Sequence, residues 1–84
     1  MRLDKYLKVS RLIKRRTVAN EACGLGRVQV NGRVAKASAE LKEGDELDIL
    51  LSGKHVRLKV LSVQEHALKA DASSMYELLP EGNG

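Results

Sequence analysis

The sequence has 84 residues, which is enough for one domain with a small hydrophobic core. It contains two Tyr, no Phe and no Trp, so we expect a core of Leu, Val, Ile and Ala. The single cysteine, Cys23, excludes an internal disulfide, and no apolar stretch approaches the roughly 20 residues of a membrane-spanning helix. We therefore predict a soluble, cytoplasmic protein, with one domain over residues 1–80 and a disordered tail over residues 81–84.

Positive charge is concentrated in the first half of the chain. Residues 1–42 contain eleven Lys or Arg and three acidic residues, a net charge of +8, whereas residues 43–84 contain four and eight, a net charge of −4. A field this uneven attracts and holds polyanions. Because the basic residues lie within patterned segments, we expect them on a folded surface and not in a loose tail.

Apolar residues recur at helical spacing near the start of the chain, at Leu3, Tyr6 and Leu7. This spacing predicts a short amphipathic helix with one face on the core. The other side is predicted to carry Arg2, Asp4, Lys5 and Lys8. Because Tyr6 lies beside two leucines, we expect it at the edge of the core and not stacked on a base.

A second helical pattern runs from about Arg15 to Cys23. Its buried face is predicted to hold Val18, Ala22 and Leu25, flanked by Ala19 and Cys23. The opposite face is predicted to hold Arg16 and Asn20, four residues apart, with Thr17 beside them. Gly24 and Gly26 end the helix, and one of them is expected to take the left-handed conformation that follows a helix.

Alternating segments predict antiparallel strands in the rest of the chain. Asn31-Gly32 separates residues 27–30 from residues 33–36, and Asn-Gly between two alternating runs is a strong signal for a two-residue hairpin. Residues 47–51 and 56–60 alternate in the same way around a turn at residues 52–54. A last short element at residues 75–79 is expected to pack on the core, whereas the polar residues 64–72 indicate no single structure.

Four cations fall within six residues, at Arg11, Lys14, Arg15 and Arg16. Cations at a helix N-terminus oppose the helix dipole by about 0.3–1 kcal/mol each. A bound phosphate reverses this effect, because the cations and the free backbone amides both favour it. The alternative is an ordinary solvated surface, but the position at a helix start favours an anion site.

The predicted hairpin carries a second candidate site. A two-residue turn directs Val28, Val30 and Ala35 toward the core. The outward face then holds Arg27, Gln29, Val34 and Lys36, with Arg27 directly opposite Lys36. Like charges in this position are mildly destabilising. Either the two side chains extend into water, or this face continues the anion site of Arg16 and Asn20.

No pattern in the sequence predicts catalysis. His55 and His66 are isolated from other potential metal ligands, and Cys23 lies on the apolar side of a helix. Neither a nucleophile motif nor a phosphate-binding glycine loop is visible. We therefore predict a protein that is not an enzyme and that needs no cofactor or metal.

Several segments resemble a known family. RLDKYL, RLIKRRTVANEACGLGRVQVNG, KAS and GDELDI are similar to the alpha-L RNA-binding domain, named after small-subunit ribosomal protein four, over roughly residues 1–60. RLIKRRTVAN and the C-terminal ASSMYE extend the likeness to the small stand-alone bacterial members, over almost the whole chain. The resemblance implies an α+β fold, in which two short N-terminal helices pack on a small, bent antiparallel sheet of four to five strands.

The resemblance also implies an RNA site across the two helices and the hairpin. It assigns Arg2 and Asp4 to the start of the first helix, Arg15 and Arg16 to the second, Arg27 and Asn31 to the hairpin and Lys36 to the segment after it. The family often caps the second helix with Ser or Thr where this chain has Arg15, which cannot cap. The predicted RNA-binding set is Arg2, Asp4, Lys8, Arg11, Lys14, Arg15, Arg16, Thr17, Asn20, Arg27, Asn31 and Lys36.

The small stand-alone members act in ribosome-associated quality control. The resemblance implies binding to the large ribosomal subunit with an obstructed peptidyl-tRNA, through rRNA and tRNA contacts, and support of C-terminal tailing of the stalled chain by a partner factor. We expect a monomer off the ribosome, and 84 residues leave no room for the pseudouridine synthase or tRNA synthetase domains of other members. The alternatives are a general RNA-binding heat-shock, ribosome-recycling or assembly factor, and a protein–protein adaptor that uses the acidic residues 43–81.

Overall fold

The computed structural model of the protein describes residues 1–63 and 72–80. The elements in chain order are α1 (Leu3–Val9), α2 (Arg16–Gly24), β1 (Val28–Val30), β2 (Arg33–Val34), β3 (Glu46–Leu51), β4 (Lys54–Val60), a 3-10 helix (Ser73–Met75) and β5 (Tyr76–Leu78). The strands form one antiparallel sheet in the order β2-β1-β3-β4-β5. The predicted α+β fold, with two helices on an antiparallel sheet, is confirmed. Neither α1 nor α2 is long and apolar enough to cross a membrane.

Three predictions from the sequence concern residues outside the ranges that the structure describes. They are the disordered tail at residues 81–84, most of the unassigned polar segment 64–72, and the isolated His66 within that segment. The expected last element is present, as the 3-10 helix and β5, and it buries Met75 completely.

Two tight turns set the register of the sheet. Asn31 and Gly32 have φ angles of 52° and 84°, and residues 52–53 have φ angles of 50° and 78°. Positive φ at both central residues is typical of type I′ turns, whose twist matches that of the flanking strands. The first hairpin has the predicted register, with Gln29 opposite Val34.

One face of the sheet is covered by the two helices. Alternation in β3 buries Leu47 and Ile49, and alternation in β4 buries Leu58 and Val60. These side chains pack with residues of both helices: Leu3, Tyr6 and Leu7 of α1, and Ala19, Ala22 and Cys23 of α2. The opposite face of β3 and β4 carries charged side chains.

The buried face of α2 is narrower than the sequence predicts. It consists of Ala19, Ala22 and Cys23, which recur at three- and four-residue spacing. The prediction that Val18 and Leu25 face the core is wrong, because they are 49% and 59% exposed. Val18 lies one position before the small-residue stripe and Leu25 two positions after it, so the rotation of the helix leaves both larger side chains at the margin of its buried face.

Gly26 supplies the left-handed residue that ends α2, with a φ angle of 74°. The Arg27 amide donates to the Ala22 carbonyl and the Gly26 amide to the Cys23 carbonyl, both at 3.0 Å. This pair of hydrogen bonds is a Schellman motif. Gly24, the other candidate, is the last residue of the helix and does not have a positive φ.

Tyr6 packs in the core and is fully buried, whereas the sequence predicts a position at the core edge. Its hydroxyl donates a hydrogen bond of 2.7 Å to the Met75 carbonyl, which links α1 to the 3-10 helix. Burial raises the pKa of the Tyr6 phenol, so the hydroxyl stays protonated and remains a donor at neutral pH.

Replacement of Tyr6 by Phe should lower the free energy of unfolding by about 0.5–1.5 kcal/mol, because the buried Met75 carbonyl loses its donor. Denaturant unfolding measures the change. Tyr76→Phe is the matched control, since the Tyr76 hydroxyl has no hydrogen-bond partner among residues 1–63 and 72–80. Equal losses in the two variants would contradict a specific role for the Tyr6 hydrogen bond.

Candidate nucleic-acid interface

A buried carboxylate lies between the starts of α1 and α2. Asp4 is only 2% exposed. Its carboxylate accepts hydrogen bonds from the side chains of Arg2, Arg16 and Asn20 at 3.2–3.4 Å, and from the backbone amide of Lys5 at 2.8 Å. We call Arg2, Asp4, Arg16 and Asn20 the Asp4 cluster.

The Asp4 cluster changes the sequence-based picture of both helices. Asp4 is not on the exposed side of α1, because it is buried and its side-chain partners come from α2 and from the residue before α1. Arg16 is not a free surface cation, because its guanidinium group lies 3.4 Å from Asp4. The side chains of Arg2 and Arg16 are 49% and 48% exposed, so each reaches from the buried carboxylate to solvent.

The Asp4 carboxylate stays ionised in this position. Burial disfavours its charged form, but the hydrogen bonds from Arg16, Asn20, Arg2 and the Lys5 amide outweigh burial, and the pKa of Asp4 falls below its ordinary value of 3.8. One carboxylate therefore holds two guanidinium groups side by side, and the cluster keeps a net positive charge at its exposed edge.

The backbone amides that begin α1 are used within the protein. The Leu3 and Asp4 amides donate to the Ala39 and Ala37 carbonyls at 2.8 and 3.1 Å, and the Lys5 amide donates to Asp4. This pairing attaches α1 to residues 37–39 and leaves no amide of its first turn for a ligand.

The start of α2 is different. Arg15 precedes the helix and makes no side-chain cap, as predicted. The amides of residues 16–18 donate to no atom in the described parts of the chain. Lys14, Arg15 and Thr17 are exposed around them. The predicted anion site at this helix start therefore has the free donors and the cations that it requires.

Arg11 lies in the joint between the helices in a left-handed conformation, with a φ angle of 62°. For a residue with a side chain this conformation costs roughly 1–2 kcal/mol. The Arg11 amide donates to the Lys8 carbonyl at 3.0 Å and closes the last turn of α1, a position that Gly usually fills. The Arg11 side chain is exposed, as is that of Lys8.

A groove of about 580 Å³ separates α2 from the segment that follows β1. It is lined by Arg2, by Asn20, Cys23 and Gly24 of α2, by Gly26 and by residues 34–38. We call it the α2–hairpin groove. Its lining contains two cations, Arg2 and Lys36, and no acidic residue, so it extends the positive edge of the Asp4 cluster.

Two of the predicted site residues, Arg27 and Asn31, lie outside the α2–hairpin groove. Arg27 lines a second groove, with Leu25 and Leu50, on the opposite face of α2 from Lys36. The two cations therefore do not converge, although the hairpin register is as predicted. Asn31 donates to the Asp45 carboxylate at 3.1 Å and accepts from the Glu46 amide at 3.0 Å, so its side chain ties the hairpin turn to β3.

Beyond the predicted RNA-binding residues, sequence reasoning placed Val34 on the outward hairpin face but gave the remaining residues of the α2–hairpin groove no part in binding. The sequence predicts Gly24 only as a residue that ends α2, and Cys23 only as a core residue. The KAS segment, residues 36–38, contributes to the family resemblance, but only its lysine is assigned a role there. No sequence pattern identifies the other lining residues, because the groove forms only when α2 packs beside residues 34–38.

The described residues contain no cluster of three or more His, Cys, Asp or Glu side chains that suits a metal. Cys23 is 4% exposed, and burial, with a smaller effect of the Asp4 charge, raises the pKa of its thiol. It is a small core residue, as predicted.

Asp4→Asn should change the pH dependence of stability. Because the folded pKa of Asp4 lies below its ordinary value, the ionised carboxylate stabilises the fold above about pH 4, and this contribution is lost as the pH falls through the folded pKa. The variant should therefore be less stable at pH 7 and lose less stability on acidification. Glu43→Gln, at an exposed position, is the control for unfolding measured from pH 7 to pH 2. Parallel curves for wild type and Asp4→Asn would contradict this role.

Comparison with known proteins agrees with the geometry. The S4 domain family matches residues 1–47. A protein named RQC P-site tRNA stabilizing factor from Halalkalibacterium halodurans is 56% identical over 81 residues, which are 96% of this chain and 92% of that protein. A protein of the same name from Streptococcus pneumoniae is 52% identical with the same coverage.

The fold also matches a solved structure, the trimeric heat shock protein 15 of Vibrio cholerae. The TM-score is 0.88 over 94% of this chain and 81% of that one, at 24% sequence identity, which shows a shared fold. The family match covers more than half of the chain, and the named relatives match nearly all of it. The chain therefore belongs to the S4 domain family, the alpha-L RNA-binding family that its sequence resembles, and within it to the group of proteins named RQC P-site tRNA stabilizing factor.

Proposed function

We propose that this protein is a non-catalytic RNA-binding protein of ribosome-associated quality control, which binds the P-site tRNA and adjacent rRNA on the large ribosomal subunit. The observation that carries the proposal is 56% identity, over 96% of the chain, to a protein whose name is RQC P-site tRNA stabilizing factor. The target is a subunit on which a peptidyl-tRNA is obstructed, and the protein acts there as one domain, over residues 1–80, in the cytoplasm.

The charge arrangement supports an RNA partner. Arg2 and Arg16 are both half exposed beside the buried Asp4 carboxylate, and Arg2 also lines the α2–hairpin groove with the exposed Lys36. Folded RNA is recognised largely by its shape and by contacts to its phosphates, for which such a surface is suited. The free amides at the start of α2 add a further phosphate position.

The finer proposal concerns what this binding achieves. A tRNA held in one geometry presents its attached chain to a partner factor that adds residues to the C-terminus of the stalled chain. The contribution of this protein is then positional: a rigid basic surface fixes the tRNA against the rRNA. We propose that it acts as a monomer that assembles only on the ribosome.

The adaptor alternative, based on acidic residues 43–81, has less support. Asp45 is buried and accepts hydrogen bonds from Asn31 and from the Lys42 amide. The Asp48 carboxylate lies 2.8 Å from the His55 ring. These acids stabilise the sheet and its turns, which reduces the negative charge available to a partner. The heat-shock alternative has only the likeness to heat shock protein 15, which concerns the fold.

Co-sedimentation with purified large subunits tests the function. The protein should sediment with subunits that carry a peptidyl-tRNA and much less with vacant subunits. Equal sedimentation with both would contradict the tRNA contact, and none with either would contradict the function as a whole. Release after ribonuclease treatment would separate an RNA interface from a protein interface.

Binding should depend strongly on salt. With roughly five phosphate contacts, the logarithm of the binding constant for tRNA should fall with log salt at a slope of about −3.5 to −4.5. Lys36→Gln should make the slope shallower by about 0.7–0.9, because one contact is lost. Lys59→Gln, on the opposite face of the sheet, is the matched control and should leave the slope unchanged. A slope near zero for the wild type would contradict an electrostatic interface.

Arg11→Gly should separate stability from binding. The free energy of unfolding should rise by about 0.5–1 kcal/mol, because Gly accepts the left-handed conformation without strain. Affinity for tRNA should fall, because one exposed cation is removed. Arg11→Lys keeps both the charge and the strain, so it should resemble the wild type in thermal unfolding and in filter binding. Greater stability with unchanged affinity would place Arg11 outside the interface.

A further inference from the structure

The α2–hairpin groove contains a glycine that the fold does not require. Gly24 lies in α2 without a positive φ, and a Cβ atom built on it would meet no atom within 4 Å. Gly is a poor helix former, and Ala fits this position without strain. Gly26 differs, because its φ of 74° is unfavourable for other residues. Gly24 therefore costs helix stability and lines the groove without a side chain.

The groove offers a distinctive combination of chemical groups. Its walls include the apolar side chains of Val34, Ala35 and Ala37, and Val34 is 62% exposed. The Ser38 hydroxyl and the side-chain oxygen of Asn20 have no hydrogen-bond partner among the described residues. An apolar slot with unpaired polar groups at its edge is typical of a small-ligand site.

The charges restrict the ligand further. The cations of the lining, Arg2 and Lys36, are both exposed, and no acid lines the groove. A ligand that fits has flat apolar faces, a polar edge and negative charge just outside it. An unpaired nucleobase with its flanking phosphates has all three features. A base-paired helix does not, because its bases are stacked inside and present only their edges in the minor groove.

We propose that the α2–hairpin groove holds one unpaired nucleobase of the bound RNA, with the neighbouring phosphates on Arg2 and Lys36. The proposal rests on the RNA-binding function proposed above and adds a base-binding site to a surface otherwise suited to phosphates. Tyr6 is buried and cannot stack on a base from the surface, so the contact is made by the apolar wall and by the guanidinium plane of Arg2.

The test uses three RNA hairpins of equal length: one with a bulged adenosine, one with an abasic site at the bulge, and one fully paired. Wild-type protein should bind the bulged hairpin roughly tenfold more tightly than the abasic one, as expected for one buried base. Gly24→Leu fills the groove and should bind the bulged and abasic hairpins equally. Gly24→Ala should have an intermediate effect, and fluorescence anisotropy measures all the affinities.

The matched control is Leu25→Ala, which changes the next residue but lies on the second groove, so it should keep the wild-type preference. Thermal unfolding of Gly24→Ala should occur no lower than that of the wild type, which shows that the fold is intact. A Gly24→Leu variant that still prefers the bulged hairpin, or that loses affinity equally for all three, would overturn the base site. Equal binding of all three hairpins by the wild type would also overturn the base site, but it would leave the proposed function in place. Binding of no RNA at all would count against the proposed function.

Discussion

The ion pairing of Asp4 is the interaction on which the basic surface depends. Without a carboxylate between them, Arg2 and Arg16 would repel each other, and the start of α2 would carry only cations next to the positive end of its dipole. Because Asp4 is buried, its charge acts on the arginines and is not presented to a ligand. One negative charge thus joins two helices and still leaves a positive exterior, whereas the same carboxylate at the surface would repel phosphates.

The sheet could be predicted from the sequence because its signals are local. Asn31-Gly32 accepts positive φ at both turn residues, and the alternation of Leu47 with Ile49 determines which face of β3 is buried. The turn and the pattern each involve neighbouring residues, so no knowledge of the tertiary structure is required. The cation run at the start of α2 was predictable for the same reason, since a helix start and its charges are adjacent in the chain.

The partners of Asp4 could not be predicted in this way. Helical spacing assigns a charged residue to the exposed side, and the side chains that reverse this assignment, Arg16 and Asn20, lie 12 and 16 residues away. The rotation of α2 was also ambiguous, because two stripes of apolar residues share Ala22 and face nearly the same way. The stripe with the smaller residues is buried, which leaves Val18 and Leu25 exposed. The hairpin register places Arg27 opposite Lys36, which suggested one shared site. The two side chains line different grooves, because α2 lies between those grooves.

Three local features of residues 11–24 reduce the stability of the fold. Arg11 has a left-handed conformation, Arg15 provides no cap for α2, and Gly24 occupies a helical position. Each costs on the order of 1 kcal/mol compared with the residue that suits the backbone best. All three belong to the joint and helix that carry the candidate interface: two add an exposed cation there, and the third lines the α2–hairpin groove without a side chain. A ligand that binds only the folded state stabilises it by mass action. On the proposed function, RNA bound at this surface would offset costs that the isolated fold does not.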